Sequence, residues 1–196
     1  MSLQIKKVLM KYTLTVLFSL LITASAYAAD EQQLIQESRL AIKSFAGQLK
    51  AELMAGMKNG GPLQAMTVCH EVAEEIAIDN SKKLGWEISR TSLKPRNSKN
   101  SPDAWEAAVL TTFEQRKAAG EPINEIEHAE VVSNNGQSQF RYMKAIPTQP
   151  LCLGCHGENI AADISTKIDQ LYPNDKARGF KPGDIRGAFS IIRTID

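Results

Sequence analysis

Two cysteines and a histidine stand within five residues of one another, in the run Cys152-Leu153-Gly154-Cys155-His156. This C-x-x-C-H spacing is typical of a c-type haem, in which two thiols form thioethers with the vinyl groups and the histidine ring coordinates iron. Two intervening residues let the thiols reach adjacent vinyl groups on one porphyrin edge. Gly154 and Gly157 are expected to reduce crowding beside the macrocycle. The motif therefore predicts one covalent haem c held by Cys152, Cys155 and His156.

A C-x-x-C pair also occurs in redox-active pairs, structural disulfides and zinc sites. The redox pair normally begins a helix after a strand of a βαβ unit, whereas this motif follows Pro147 and Pro150, where we expect a loop after a hairpin. A structural zinc ion needs four ligands, and the chain has only one further cysteine, Cys69. Haem attachment, which takes place outside the cytoplasm, fits the motif best.

The first 28 residues have the pattern of a secretory signal peptide. Three lysines precede an apolar run at residues 12–22, and Ala26-Tyr27-Ala28 has the small-x-small pattern that signal peptidase recognises. The apolar run is too short to span a bilayer comfortably, so we expect cleavage after Ala28 rather than an uncleaved anchor. The mature chain, residues 29–196, is expected to be a single periplasmic or secreted domain with no integral membrane segment.

The distribution of charge argues against a nucleic-acid partner. Loss of residues 1–28 removes three lysines and no acids, so the formal charge falls from +1 to −2. Basic residues of the mature chain are interspersed with acids, and no basic run could neutralise successive phosphates. We expect instead a separate redox or signalling protein as the partner, of unknown identity.

Apolar spacing predicts two consecutive helices at the start of the mature chain. The first covers residues 31–57 and the second runs from Pro62 to about Leu84. Gly60 and Gly61 lie between them, because glycine suits a helix exit and proline suits a first helical turn.

The rest of the chain mixes strands and helices. A strand is expected at residues 86–90, then a helix capped by the Ser101 hydroxyl with Pro102 in its first turn. A hairpin turns at Asn134-Asn135-Gly136, a helix ends at Pro173, and a β-rich segment follows at residues 188–195. These elements predict an α+β fold with an antiparallel sheet packed on helices; the strand order is not predicted.

The second axial position of the iron has several candidate ligands. They are Cys69, His70, His128, Met54, Met57, Met66 and Met143. Cys69 lies on the apolar face of the second helix, and His70 is turned about 100° away from it. A free cysteine is usually a small buried apolar residue, but outside the cytoplasm an unpaired thiol is a liability unless it is sheltered or used. The residues alone leave Cys69, a methionine, a histidine and an open iron as alternatives.

Four blocks of the sequence carry a family resemblance. They are Val68-Cys69 with Val72-Ala73; residues 90–97 with Asn100, Pro102, Asp103, Trp105 and Glu106; residues 152–157; and Tyr172-Pro173 with Asp175, Lys176, Ala177, Gly179 and residues 183–188. In these blocks the chain resembles periplasmic c-type haem domains with a PAS-like fold, formerly of unknown function, which occur as free proteins and as sensor regions of bacterial signalling proteins. The resemblance implies a PAS-like antiparallel sheet, with N-terminal and flanking helices, around one covalent haem. It also implies Cys69 as the ligand opposite His156.

Arg96 and Arg186 lie in two of these blocks, next to proline or glycine. A guanidinium group pairs with a carboxylate through two parallel hydrogen bonds. Both arginines are therefore candidate partners of the haem propionates, and structural ion pairing is the alternative for each.

The resemblance favours redox or ligand sensing through the haem, and electron transfer between periplasmic partners is the alternative. A peroxidase-like enzyme would need an open iron with acid/base groups beside it. No such constellation is recognisable, so binding or electron transfer is expected rather than catalysis.

Overall fold

The structure is a computed structural model that describes residues 3–134 and 136–195, with side-chain surroundings from residue 30 onwards except at residue 134. The predicted signal peptide lies outside the residues whose side chains are described, so cleavage after Ala28 stays a prediction. None of the described helices is both long and apolar enough to cross a membrane. The chain divides into two units, Met1–Arg39 and Leu40–Asp196, and the second unit contains the sheet and the haem motif.

Helix α1 spans Leu3–Leu84 and is interrupted at Gly60 and Gly61. Gly61 has a φ of 69°, a conformation that glycine adopts without steric cost. We name residues 40–59 the first arm of α1 and residues 62–84 its second arm. The predicted break and the predicted end at Leu84 are both confirmed.

The two arms of α1 pack side by side. A Cβ placed on Gly56 of the first arm would lie 2.8 Å from the Cα of Ala65 in the second arm. Further along, the Asn80 side-chain amide donates to Oε1 of Gln48 over 3.2 Å. The glycine break therefore folds one long helical sequence back on itself.

Four strands form one antiparallel sheet: β1 Glu87–Thr91, β2 Glu127–Asn134, β3 Gln137–Pro147 and β4 Ile185–Ile195. Their order is β1-β4-β3-β2. Strands β2 and β3 form the predicted hairpin, in which Asn134 stands opposite Gln137. The predicted α+β class with an antiparallel sheet is confirmed.

Three further helices accompany the sheet: α2 Ala104–Ala118, α3 Leu153–His156 and α4 Ala162–Leu171. The predicted cap of α2 is wrong, because Asp103 and not Ser101 caps it. The Glu106 N–H donates to the Asp103 carboxylate over 2.7 Å, and the Asp103 N–H donates to the Glu106 carboxylate over 3.2 Å. This reciprocal pair satisfies two helix-end donors and places negative charge at the positive end of the helix.

Helices cover both faces of the sheet. On one face, α2 packs through Phe113 and its neighbours against Met143 and Ala188. On the other face, Phe45 of the first arm contacts Phe189 edge to face, with ring centroids 5.6 Å apart. Successive residues such as Ala188 and Phe189 point to opposite faces of a strand. Each fully buried large side chain in such a core contributes roughly 1.5–3 kcal/mol.

The strand directions bring three loops together at one end of the sheet. Strands β1 and β3 both run antiparallel to β4, so the ends of β1 and β3 meet the start of β4. There the Ser92 hydroxyl donates to the Arg186 carbonyl over 2.8 Å, and the Thr148 N–H donates to the Asp184 carbonyl over 2.7 Å. The haem motif follows β3 directly and therefore lies among these loops.

Candidate haem site

The C-x-x-C-H motif forms two short consecutive helical turns after β3. A 3-10 turn covers Pro150–Cys152, and α3 begins at Leu153. Cys152 and Cys155 are free, half-buried thiols. The turn ends at Gly157, where a Cβ would lie 2.6 Å from the Leu153 carbonyl oxygen, whereas Gly154 has open space beside it. Gly157 is therefore required by the chain's own turn, a reason different from the predicted one.

The His156 ring is held through one nitrogen. Its Nδ1 lies 2.9 Å from the Ala177 carbonyl oxygen, and because a carbonyl only accepts, Nδ1 carries the proton. Phe180 stands perpendicular to the ring, with centroids 6.3 Å apart. Burial, and then the charges of Arg186 and Arg96, hold the pKa of His156 well below its ordinary value. The ring is therefore neutral, with Nε2 unprotonated, so that the Nε2 lone pair can bind a metal.

Asp175 and Arg96 join the motif to the segment that precedes β4. The Asp175 side chain is only 2% exposed and accepts from Arg96 Nε at 3.1 Å and from Arg178 Nε at 2.7 Å. Burial alone would raise the pKa of Asp175, but these hydrogen bonds, one from the Ala177 N–H and the Arg96 charge together lower it. The group is therefore an ionised carboxylate that orients Arg96.

Cys69 reaches the same region from the second arm of α1. It is half-buried, one turn after Met66, which packs with Ile164 and Ile168 in a cluster that Cys155 also contacts. Burial raises the pKa of the Cys69 thiol, the charge of Arg90 opposes this, and Cys155 is close enough to raise it further. The structure thus brings Cys69 and Met66 to the motif from a position about 85 residues earlier in the chain.

The other candidate ligands differ from Cys69 in exposure and contacts. His70 is exposed and packs edge to face on Tyr172, with centroids 5.0 Å apart. His128 lies on β2, 3.5 Å from the Glu130 carboxylate. Met143 is buried under α2, and Met54 is 46% exposed. Met57 is half-buried in the first arm. Cys69 and Met66 share the buried surroundings of Cys155, and His70 touches the outer side of the same cluster through Tyr172.

Arg186 lies in the site without a carboxylate in hydrogen-bond contact. Its Nη1 donates to the Ser92 hydroxyl at 3.2 Å and to the Lys94 carbonyl at 3.3 Å, and its guanidinium lies 5.2 Å from the Phe180 ring centroid. Its buried Nε has no hydrogen-bond partner within the described chain. Burial, and then the charges of Arg96 and Arg90, lower the pKa of Arg186 to about 10. These features fit an arginine that accommodates an anionic group.

These residues fit a covalent haem. Two free thiols at the required spacing, a neutral histidine with a free Nε2, and a buried arginine with an unsatisfied donor match the vinyl groups, iron and propionates of the cofactor. No three His, Cys, Asp or Glu side chains of the described chain form a group that could hold a bare metal ion.

Comparison with known proteins identifies the family of the chain and supports its fold. The family described as Tll0287-like matches residues 15–193, which is most of the chain. The chain belongs to the Tll0287-like family. Among solved structures it is similar to the crystal structure of the cyanobacterial haem protein Tll0287, with 22% identity, a TM-score of 0.62, and coverage of 84% of this chain and 96% of the other. No match was found among curated proteins.

Two members of the site in this Tll0287-like chain could not be recognised from the motif. Arg90 was not predicted to belong to the site. Burial lowers its pKa, and the nearby Cys69 and Tyr172 side chains oppose this shift. Asp175 was not predicted to orient Arg96. Both residues stand in the sequence blocks that carry the family resemblance, and this position indicates that they could belong to the site.

Proposed function

We propose that this chain carries one covalent haem c, attached through Cys152 and Cys155, with His156 and Cys69 as axial ligands, and works in redox or ligand sensing in the periplasm. The observation that carries the proposal is the meeting of the C-x-x-C-H motif, its anchored histidine and a half-buried thiol from α1. The chain would hold the porphyrin, fix the histidine ring and shelter the thiol. The haem would supply one-electron iron chemistry.

Sensing is supported by the position of the two proposed axial ligands in different elements of the fold. His156 follows β3, whereas Cys69 belongs to the second arm, which contacts β1 through the Ile88 N–H donating to the Ser81 hydroxyl at 3.0 Å. Release or exchange of the Cys69 ligand would free this arm from the iron. A change at the haem would then become a movement of a surface helix that a separate protein could recognise.

Electron transfer is the second candidate, and exposure next to the motif favours it. Leu151 is 48% exposed immediately before Cys152, so the thioether edge of the haem would lie near the surface, where a redox partner could approach. Amide hydrogen exchange of the second arm in ferric and ferrous protein separates the candidates. Sensing requires a difference between the two states, whereas electron transfer does not.

Covalent attachment is tested by haem staining after denaturing electrophoresis. The double variant Cys152→Ser with Cys155→Ser should lose the stain, because neither thioether can form. Cys69→Ser is the matched control and should keep it, since an axial ligand is not needed for the covalent link. A double variant that retains full haem stain would contradict attachment.

The second axial ligand is tested by the paramagnetic resonance and absorption spectra of the ferric protein. We expect a low-spin thiolate signature in the wild type that disappears in Cys69→Ser. His70→Ala should leave the spectrum unchanged, because the His70 ring is exposed and is turned about 100° from Cys69 around the helix. A high-spin spectrum that Cys69→Ser does not alter would mean an open iron and a packing role for the thiol.

A further inference from the structure

Arg96 makes three contacts that tie the haem motif to the segment before β4. Its Nε donates to Asp175 Oδ1 over 3.1 Å. Its Nη2 donates to the Cys155 carbonyl over 2.5 Å and to the Ala177 carbonyl over 3.1 Å. The side chain is only 11% exposed, so these three hydrogen bonds lie in the interior of the protein.

The Ala177 carbonyl is shared between Arg96 and the histidine. It accepts from His156 Nδ1 at 2.9 Å and from Arg96 Nη2 at 3.1 Å. An acceptor that a cation already polarises is a weaker acceptor for its second donor. The imidazole consequently keeps its Nδ1 proton more fully and donates less electron density through Nε2.

We propose that Arg96 is a positioning residue that fixes the orientation of His156 and raises the reduction potential of the haem by sharing the Ala177 carbonyl. The inference rests on the proposed haem attachment. A less basic imidazole stabilises ferric iron less, and a nearby cation disfavours the more positive ferric state, so both effects act in the same direction. Arg96 thereby offsets the potential-lowering effect of a thiolate ligand.

Arg178 provides a matched control within the same ion-pair group. It also binds Asp175, with its Nε at 2.7 Å, but its other partners are Ser165 and Asp169. None of these bonds involves the Cys155 carbonyl or the Ala177 carbonyl. Arg96→Met and Arg178→Met therefore remove the same charge from the same carboxylate, and only the first frees the carbonyl that His156 uses.

The test measures the midpoint reduction potentials of wild type, Arg96→Met, Arg178→Met and Arg96→Lys as holoproteins. Arg96→Met should shift the potential to a more negative value, and Arg178→Met should shift it clearly less, because it removes a charge from Asp175 but leaves the shared Ala177 carbonyl as it is. Arg96→Lys should lie between them, because an ammonium group keeps the charge but cannot contact Asp175 and both carbonyls as the planar guanidinium does.

Equal potentials in wild type and Arg96→Met, or equal shifts in Arg96→Met and Arg178→Met, would overturn the role of Arg96. If Arg96→Met yields no holoprotein, Arg96→Lys decides: a wild-type potential in that variant overturns the proposal, and a more negative one supports it. Haem staining of the wild type comes first. A wild type without covalent haem would refute the proposed function itself, which separates the two failures.

Discussion

Arg186 places a positive charge where the chain provides little to compensate for it. The side chains of Arg96 and Arg90 are close enough to lower its pKa together with burial, and its hydrogen bonds go to a hydroxyl and a carbonyl. The Asp175 carboxylate opposes this shift without a hydrogen bond to Arg186, and a buried charge that is only partly compensated is destabilising. In a haem-bound protein the propionates would supply that negative charge.

Arg186→Met should consequently have opposite effects on apoprotein and holoprotein. In the Cys152→Ser, Cys155→Ser background, loss of the buried charge should raise the free energy of unfolding by about 1–3 kcal/mol. In the holoprotein the same change should lower it by a similar amount, because a propionate loses its partner. Denaturant unfolding measures both. A change of the same sign in the two forms would argue against propionate binding by Arg186.

Neighbouring residues show how much of the site the sequence could predict. Helical spacing separated Cys69 from His70 correctly by exposure, because a rotation of about 100° per residue is a local property. The partner of Arg96 was not predictable in this way. Asp175 lies 79 positions further along the chain, and such a pairing depends on how the loops meet in three dimensions.

At the scale of elements, the two arms of α1 depend on small residues where they touch. A Cβ added at Gly47 would have no atom within 4 Å, whereas one added at Gly56 would meet the Ala65 backbone at 2.8 Å. Both glycines lie in the first arm. Replacing each of them by alanine therefore distinguishes the effect of helix propensity from the effect of packing between the arms.

Gly47→Ala should stabilise the protein by about 0.5–1 kcal/mol, the usual gain from replacing a helical glycine by alanine. Gly56→Ala should destabilise it by about 1–3 kcal/mol, because the added methyl group forces the arms apart. Thermal unfolding followed by circular dichroism measures both variants. Stabilisation of similar size in the two would show that the arms do not pack as described.

Local sequence signals predict where elements begin and end, and the wrong cap of α2 shows where such signals fail. The Gly-Gly-Pro sequence predicted the break in α1, and the Asn-Gly sequence predicted the hairpin. At α2, the sequence predicted Ser101 as the cap, whereas Asp103 is the cap in the structure. The reciprocal bond between Asp103 and Glu106 decided between them, because it satisfies two backbone donors where a serine would satisfy one.

For the whole molecule, the fold class was predictable and the strand order was not. Alternating apolar residues identify strands, but pairing of β1 with β4 joins residues about a hundred positions apart. Gly187 is one trace of that pairing in the sequence, because a Cβ there would lie 2.3 Å from the Thr91 carbonyl oxygen. This reason for a glycine at position 187 cannot be recognised until the pairing of β1 with β4 is known.

Strand β4 lies between β1 and β3 and comes last of the four strands in the chain, so it is also synthesised last. A chain appears from its N-terminus onwards, from the ribosome or through a translocation channel, so the attachment motif emerges before the strand that joins β1 to the β2–β3 hairpin. Until residues 185–195 arrive, β1 and the β2–β3 hairpin cannot join in one sheet. During that interval the Cys152 and Cys155 thiols are part of a chain whose sheet is incomplete.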